Sequence, residues 1–172
     1  MAQVYFSTGS NQGDRLNSLV QAAQLIDNLI GKVIQYSPVV ESEPWGFEAE
    51  TTFYNQVLMV ETQQTPQQIL IQILEIETRL GRKRSGKEYS SRVIDIDILF
   101  YDEKEVNEPN LVIPHPHLHK RKFVLEPLAD IAPDLVHPVF QTTISELLSQ
   151  IMEASPISVV TEKEEFTRLF HQ

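Results

Sequence analysis

Residues 93–101, VIDIDILFY, alternate aliphatic residues with two aspartates, a pattern that fits a β-strand and little else. Successive side chains of a strand point to opposite faces. Ile94, Ile96, Ile98 and Phe100 are therefore expected on a core face, and Val93, Asp95, Asp97 and Leu99 on the other. From the rise of a strand, the two aspartates then sit roughly 6–7 Å apart at Cα, with their carboxylates on one side.

The rest of the chain supplies partners for such a strand. VYFST (4–8) reads as a buried first strand, followed by the loop GSNQGD and a helix from Asp14, with Leu16, Leu19, Ala23, Ile26 and Ile30 at helical spacing and Gly31 at its stop. VIQYSPVVESE (33–43) alternates as one strand, Pro38 implying a bulge or an edge position, and NQVLMVET (55–62) is a stronger strand opened by Asn55. Thr65-Pro66-Gln67-Gln68 spells a capping box with proline at the first helical position. The helix it starts runs through Ile69, Ile73, Ile76, Glu77 and Leu80 to Gly81. The order over residues 4–101 is β-α-β-β-α-β, which predicts an α+β fold with a ferredoxin-like core and an antiparallel sheet. C-terminal helical additions follow: a short helix near 127–132, and one capped by Thr143 with Glu146 three residues on. One domain is expected over residues 1–172, with its core in 4–138. The charged segment 155–172 reads as a terminal strand or a partly frayed end.

Charge is unevenly placed. The chain carries a formal −10, yet Arg79, Arg82, Lys83, Arg84, Lys87 and Arg92 stand against Glu88 alone in residues 79–92. Such a concentration indicates a local anion site. The overall acidity argues against nucleic-acid binding, which depends on neutralising phosphates. Absence of cysteine excludes disulfides and thiolate metal sites. No basic leader or long apolar run is present, so a cytoplasmic protein without membrane attachment is expected, and a monomer.

Gly81, Gly86 and Lys87 approach the phosphate-loop pattern, but Glu88 replaces its hydroxyl residue, and a helix precedes where a strand should. The basic stretch fits better with Asp95 and Asp97. Paired carboxylates suit Mg²⁺, which takes one or two of them plus substrate phosphates. Arginines suit the phosphates themselves. Together they point to an ATP-using transfer, against the plainer reading of a solvated sheet face beside a helix end. His115, His117 and His119 alternate as zinc ligands do, but Pro114 and Pro116 break the strand, and a structural or phosphate-facing role is simpler.

Arg82-x-Arg84, Arg92-x-x-Asp95-x-Asp97-Ile98-Leu99, Pro114-His115-Pro116 and Arg121-x-Phe123-Val124-Leu125-x-Pro127-Leu128, with Gly9-Ser10-Asn11 near the start, resemble the 6-hydroxymethyl-7,8-dihydropterin pyrophosphokinases of folate biosynthesis. The resemblance covers roughly residues 4–138. It implies diphosphate transfer from ATP to a reduced pterin alcohol with release of AMP, two Mg²⁺ ions on Asp95 and Asp97, and catalytic roles for Arg82, Arg92, Asp95 and Asp97. It further implies ATP contacts at Glu77, Arg82, Arg84, Tyr89, Arg92, Ile98, His115 and Arg121. The pterin would meet Ser42, Glu43, Trp45, Phe53, Asn55, Asp95 and Phe123, with its ring stacked between Trp45 and Phe123. Departures from the family pattern stand at Glu43, Tyr89 and Ser91. Two alternatives remain open at this point: a palm-like two-metal nucleotidyl transferase releasing pyrophosphate, and a non-catalytic ligand-binding module.

Overall fold

A computed structural model describes residues 1–44, 50–81, 93–152 and 156–172. The first strand, β1 (Ala2–Ser10), leads into α1 (Arg15–Leu29), whose N-cap Asp14 accepts from the Asn17 backbone N–H. The alternating stretch that follows is two strands, β2 (Lys32–Tyr36) and β3 (Val39–Ser42), rather than one. The break falls at Ser37-Pro38. Proline has no N–H for a ladder, and the neighbouring Ser37 takes over the pairing, donating its N–H to the Val57 carbonyl and accepting the Val57 N–H on its hydroxyl. Next come β4 (Phe53–Thr62) and α2 (Pro66–Arg79), whose N-terminus carries both bonds of the Thr65/Gln68 capping box. The aspartate strand is β5 (Asp95–Tyr101).

These strands form an antiparallel sheet ordered β3-β4-β1-β5, with β2 pairing the far end of the β4 edge that β3 uses. This is the order a ferredoxin-like βαββαβ chain produces, with each helix returning the chain across one face. Helices α1 and α2 bury Leu19, Ala23, Ile26, Ile69, Ile73 and Ile76 against Val4, Phe6, Leu58, Ile94, Ile96 and Ile98. Gly31 lets the chain leave α1 tightly: a Cβ there would stand 2.3 Å from the Glu61 carbonyl oxygen, closer than any side chain tolerates.

The next two helices cover the opposite face. A short hairpin, β6 (Val106–Glu108) and β7 (Leu111–Ile113), precedes α3 (Lys122–Ile131), and a second, β8 (Val136–His137) and β9 (Thr142–Thr143), precedes α4 (Ile144–Ser149). Helix α3 begins five residues before the expected 127 and carries Pro127 inside it. Pro127 cannot return an N–H to the Phe123 carbonyl. Val124, Leu125 and Leu128, all buried against Tyr5, Val57, Leu99 and Phe100, hold the helix across that gap. The Thr143/Glu146 capping box forms as the sequence predicts.

Packing corrects one expectation and decides between the two forms expected of the tail. Phe100 does not share a face with Ile98: Tyr5 pairs Phe100 while Phe6 pairs Ile98, so Leu99 is an extra residue in β5. The bulge turns Leu99 and Phe100 together into the α3/α4 core, where Phe100 meets Tyr5 edge-on at 6.3 Å between ring centroids. The last segment is not frayed. Its strand β10 (Ser158–Thr161) pairs with β3 and completes a six-stranded sheet, and α5 (Lys163–Phe170) packs on α1. Phe166 and Phe170, one helical turn apart, flank the Tyr36 ring, and the Tyr36 hydroxyl donates to Thr167 Oγ1 at 2.6 Å. Among the described residues no helix is long and apolar enough to cross a membrane.

Candidate active site

The sheet registers build the site. In β5, Asp95 stands opposite Gly9 and Asp97 opposite Ser7; in β4, Asn55 stands opposite Gly9; in β3, Val40 stands opposite Asn55 and Ser42 opposite Phe53. Directly paired antiparallel residues share a face. One row therefore runs Asp95–Gly9–Asn55–Val40 across four strands, on the same face as Val57 and Met59 of the second core. The α3/α4 layer covers the Tyr5, Met59 and Phe100 end of this face. The Asp95, Asp97, Asn55 and Phe53 end lies beyond it, and the Asp97 side chain keeps 34% of its exposure.

At one side of this floor the amide of Asn55 is buried, with 3% of its surface exposed, and its Nδ2 donates to Ser42 Oγ at 2.8 Å. Its Oδ1 lies over β1: a Cβ on Gly9 would come within 2.9 Å of it and 3.8 Å of the Phe53 ring. Glycine at position 9 is thus a matter of space, and it is what lets the Asn55 amide lie flat on the sheet. Asn55 sits inside β4, two residues after its start, and not at the strand opening.

At the other side stands His115, whose backbone N–H donates to the Leu99 carbonyl and fixes the segment alongside β5. His115 Nδ1 accepts the His117 backbone N–H at 3.1 Å, so the proton resides on Nε2, which faces Asp97 Oδ2 at 3.8 Å. Burial, followed by the charges of Arg121 and His117, holds the imidazole down at about 4 against the opposing pull of Asp95. Near neutral pH the contact is therefore an uncharged N–H beside a carboxylate. Among the described residues no group of three or more His, Asp or Glu side chains is placed to hold a metal ion. Arg121 is buried at the N-cap position of α3, its guanidinium 5.9 Å from the Phe123 ring centroid, and Phe123 packs at the edge of the second core.

The structure thus brings together Asp95, Asp97, Ser42, Phe53, Asn55, His115, Arg121 and Phe123 on one face and its border. Glu43 follows β3 and is exposed. Of the expected ATP set, the Ile98 side chain lies in the α1/α2 core, because it alternates with Asp97, and Glu77 is buried on α2. The expectations at Trp45, Arg82, Arg84, Tyr89 and Arg92 lie outside the described residues. Sequence reading missed the spacing role of Gly9 and the bond from Asn55 to the Ser42 hydroxyl. The Gly-Ser-Asn run was the available signal for the first, and nothing local marked the second.

Comparison with known proteins assigns the chain to a family. A 2-amino-4-hydroxy-6-hydroxymethyldihydropteridine pyrophosphokinase of Aquifex aeolicus is 38% identical over 146 residues, covering 85% of this chain and 90% of the relative. One of the same name from Porphyromonas gingivalis is 43% identical over 141 residues, covering 80% of this chain and 95% of the relative. A folic acid synthesis protein of Pneumocystis carinii is 40% identical over 150 residues, covering 87% of this chain but 20% of the relative. Among solved structures, Plasmodium falciparum HPPK-DHPS superposes with a TM-score of 0.70 at 18% identity over 87% of this chain, which spans 44% of that longer chain and shares its fold there. Residues 5–133 match the profile of 7,8-dihydro-6-hydroxymethylpterin-pyrophosphokinase (HPPK), and the chain belongs to that family.

Proposed function

We propose that this chain transfers a diphosphate from ATP to the hydroxymethyl oxygen of 6-hydroxymethyl-7,8-dihydropterin, releasing AMP, in folate biosynthesis. Family membership over residues 5–133 supports this reading. The observation that carries it into the site is the row Asp95–Gly9–Asn55, with Asp97 on the same face opposite Ser7, which sets a pair of carboxylates and a buried amide on one sheet face. A pterin offers an amide and amino edge that an asparagine amide matches by donor and acceptor. The carboxylate pair suits the polyphosphate end through metal ions.

Asp95 and Asp97 fit Mg²⁺ on their donor chemistry: hard oxygen ligands on alternate strand positions, with Asp97 open enough to leave room for substrate oxygens. Two such ions would neutralise phosphate charge and lower the pKa of the attacking alcohol. The chain's own groups do the rest. Asn55 orients the pterin, held by Ser42, while Phe53 and Phe123 offer ring faces at either side. His115, neutral and with Nε2–H available, donates a hydrogen bond without competing for the proton of the alcohol. Arg121 adds fixed positive charge, and Arg82, Arg84 and Arg92 complete the phosphate contacts. No strong base is required, since alignment and charge stabilisation carry most of the barrier reduction in phosphoryl-type transfer. We further propose that residues 1–172 form one domain acting as a monomer.

The reading is tested by supplying Mg·ATP with and without 6-hydroxymethyl-7,8-dihydropterin and resolving the nucleotide products. Pterin-dependent AMP is expected in step with pterin diphosphate. Release of pyrophosphate would point instead to nucleotidyl transfer, and binding without turnover to a ligand-binding module.

A further inference from the structure

The pterin end of the sheet is held from its reverse side. Glu41 and Tyr54 are paired across β3 and β4, and they alternate with Ser42, Phe53 and Asn55, so they point to the α1 face while those three point to the site. Arg15, the first residue of α1, meets both strands there. Its Nη1 donates to the Thr52 carbonyl at 3.0 Å and to Thr52 Oγ1 at 2.9 Å, and lies 3.6 Å from Glu41 Oε2. Thr52 Oγ1 in turn donates to Glu41 Oε2 at 2.8 Å. The guanidinium stands over the Tyr54 ring, 3.8 Å from its centroid. One residue back, Thr51 Oγ1 donates to the Asn11 carbonyl at 2.5 Å.

A surface ion pair between Arg15 and Glu41 alone would do little. This arrangement is more than a pair. One planar guanidinium fixes a backbone carbonyl, a hydroxyl, a carboxylate and a ring, using the fork and stacking geometry that lysine lacks. Every group it holds is an immediate neighbour of a residue on the opposite, site-facing side: Glu41 of Ser42, and Thr52 and Tyr54 of Phe53. Asp14 caps the helix that carries it, so the anchor itself is rigid. We infer that Arg15 is a positioning residue for the pterin half of the site. It acts through Glu41, Thr52 and Tyr54 to hold Ser42, Phe53 and Asn55 in register, and it leaves the aspartate half untouched. This inference rests on the pterin reading above.

The asymmetry gives the test. Steady-state kinetics on the full chain, varying 6-hydroxymethyl-7,8-dihydropterin and Mg·ATP separately, would compare the unaltered protein with Arg15→Leu, Arg15→Lys and Thr52→Val, with a melting curve for each. Arg15→Leu is expected to raise the pterin KM roughly tenfold or more, as loss of charge-assisted hydrogen bonds does, with the KM for ATP within about twofold of its starting value. Arg15→Lys restores charge but not the fork and is expected to recover only part of that loss. Thr52→Val keeps the side-chain size and removes the shared hydroxyl. It should shift the same KM in the same direction, which keeps the test available if Arg15→Leu does not fold. Equal changes in both KM values, or none in a folded variant, would overturn the inference and leave Arg15 a structural residue. If the unaltered protein forms no AMP with the pterin, the substrate reading itself has failed and this inference falls with it.

Discussion

The Nδ2 of Asn55 donates to the Oγ of Ser42 over 2.8 Å, joining the side chains of two adjacent strands on the floor of the site. The bond ties the amide to β3, with the Gly9 backbone beneath Oδ1. Ser42→Ala is expected to weaken pterin binding about fivefold to tenfold, the effect of one neutral hydrogen bond and a freed amide. Ser42→Thr, which keeps the hydroxyl, should stay near the unaltered value. Calorimetric titration with the pterin checks both.

Gly9 makes the complementary prediction. A methyl group at this position stands 2.9 Å from Asn55 Oδ1, and the amide must move to admit it. Gly9→Ala is expected to cost about 1–3 kcal/mol of stability, as overpacking does, and to lower pterin affinity more than ATP affinity. Urea unfolding supplies the first number and separate titrations the second. An unchanged pterin affinity would show that the Asn55 amide has slack the packing does not suggest.

The far end of the same face carries a pH-sensitive element. His137 is buried, stacked on Phe140 at 4.2 Å and edge-on to Phe100 at 5.5 Å, with Nδ1 accepting from Val139 and Phe140 N–H groups. Burial, then the nearby charge of His119, holds its imidazole down at about 4, against an ordinary value of 6.5. Between those values the unfolded chain binds the proton and the folded chain does not, so stability is lost as pH falls from about 6.5 towards 4. The slope is about 1.4 kcal/mol per pH unit for one group. His137→Asn keeps an acceptor for the two N–H groups and removes the titration. Urea midpoints from pH 7 to pH 4 should flatten by about one proton in that variant.

The C-terminal segment packs on the sheet edge and on α1. Phe166 is fully buried against α1 and β2, and β10 pairs with the strand that bears Ser42. Phe166→Ala is expected to cost about 3–5 kcal/mol, seen as a shift of one cooperative transition. A separate early transition confined to the tail would contradict the single-domain proposal.

How far the sequence reveals this structure depends on which forces act locally. The helix starts at Thr65 and Thr143 are readable because a capping box is made within four residues. The aspartate face is readable because strand period is local, and Asp95 and Asp97 do share it. The bulge at Leu99 is not, since it is set by how Tyr5 and Phe6 pair across strands. The ten-residue α3 hides behind Pro127, whose local penalty is outweighed by burial of Leu125 and Leu128. The tail hides for the same reason: an eight-residue stretch with four charges is held as a helix by Phe166 and Phe170 packing on Tyr36. Arg15 carries no local signal at all, because its partners lie 26 to 39 positions away.

Single-turnover transfer measured by phosphorus NMR, in unaltered protein and in Asp95→Asn and Asp97→Asn, tests the central claim most directly. The substitutions keep size and remove one carboxylate charge each from the open end of the sheet face. The account predicts that both β- and γ-phosphorus of ATP appear on the pterin with AMP left over, and that each substitution slows the transfer by about a hundredfold or more while pterin binding through Asn55 persists. Transfer of a single phosphoryl group, or undiminished transfer in both variants, would contradict it.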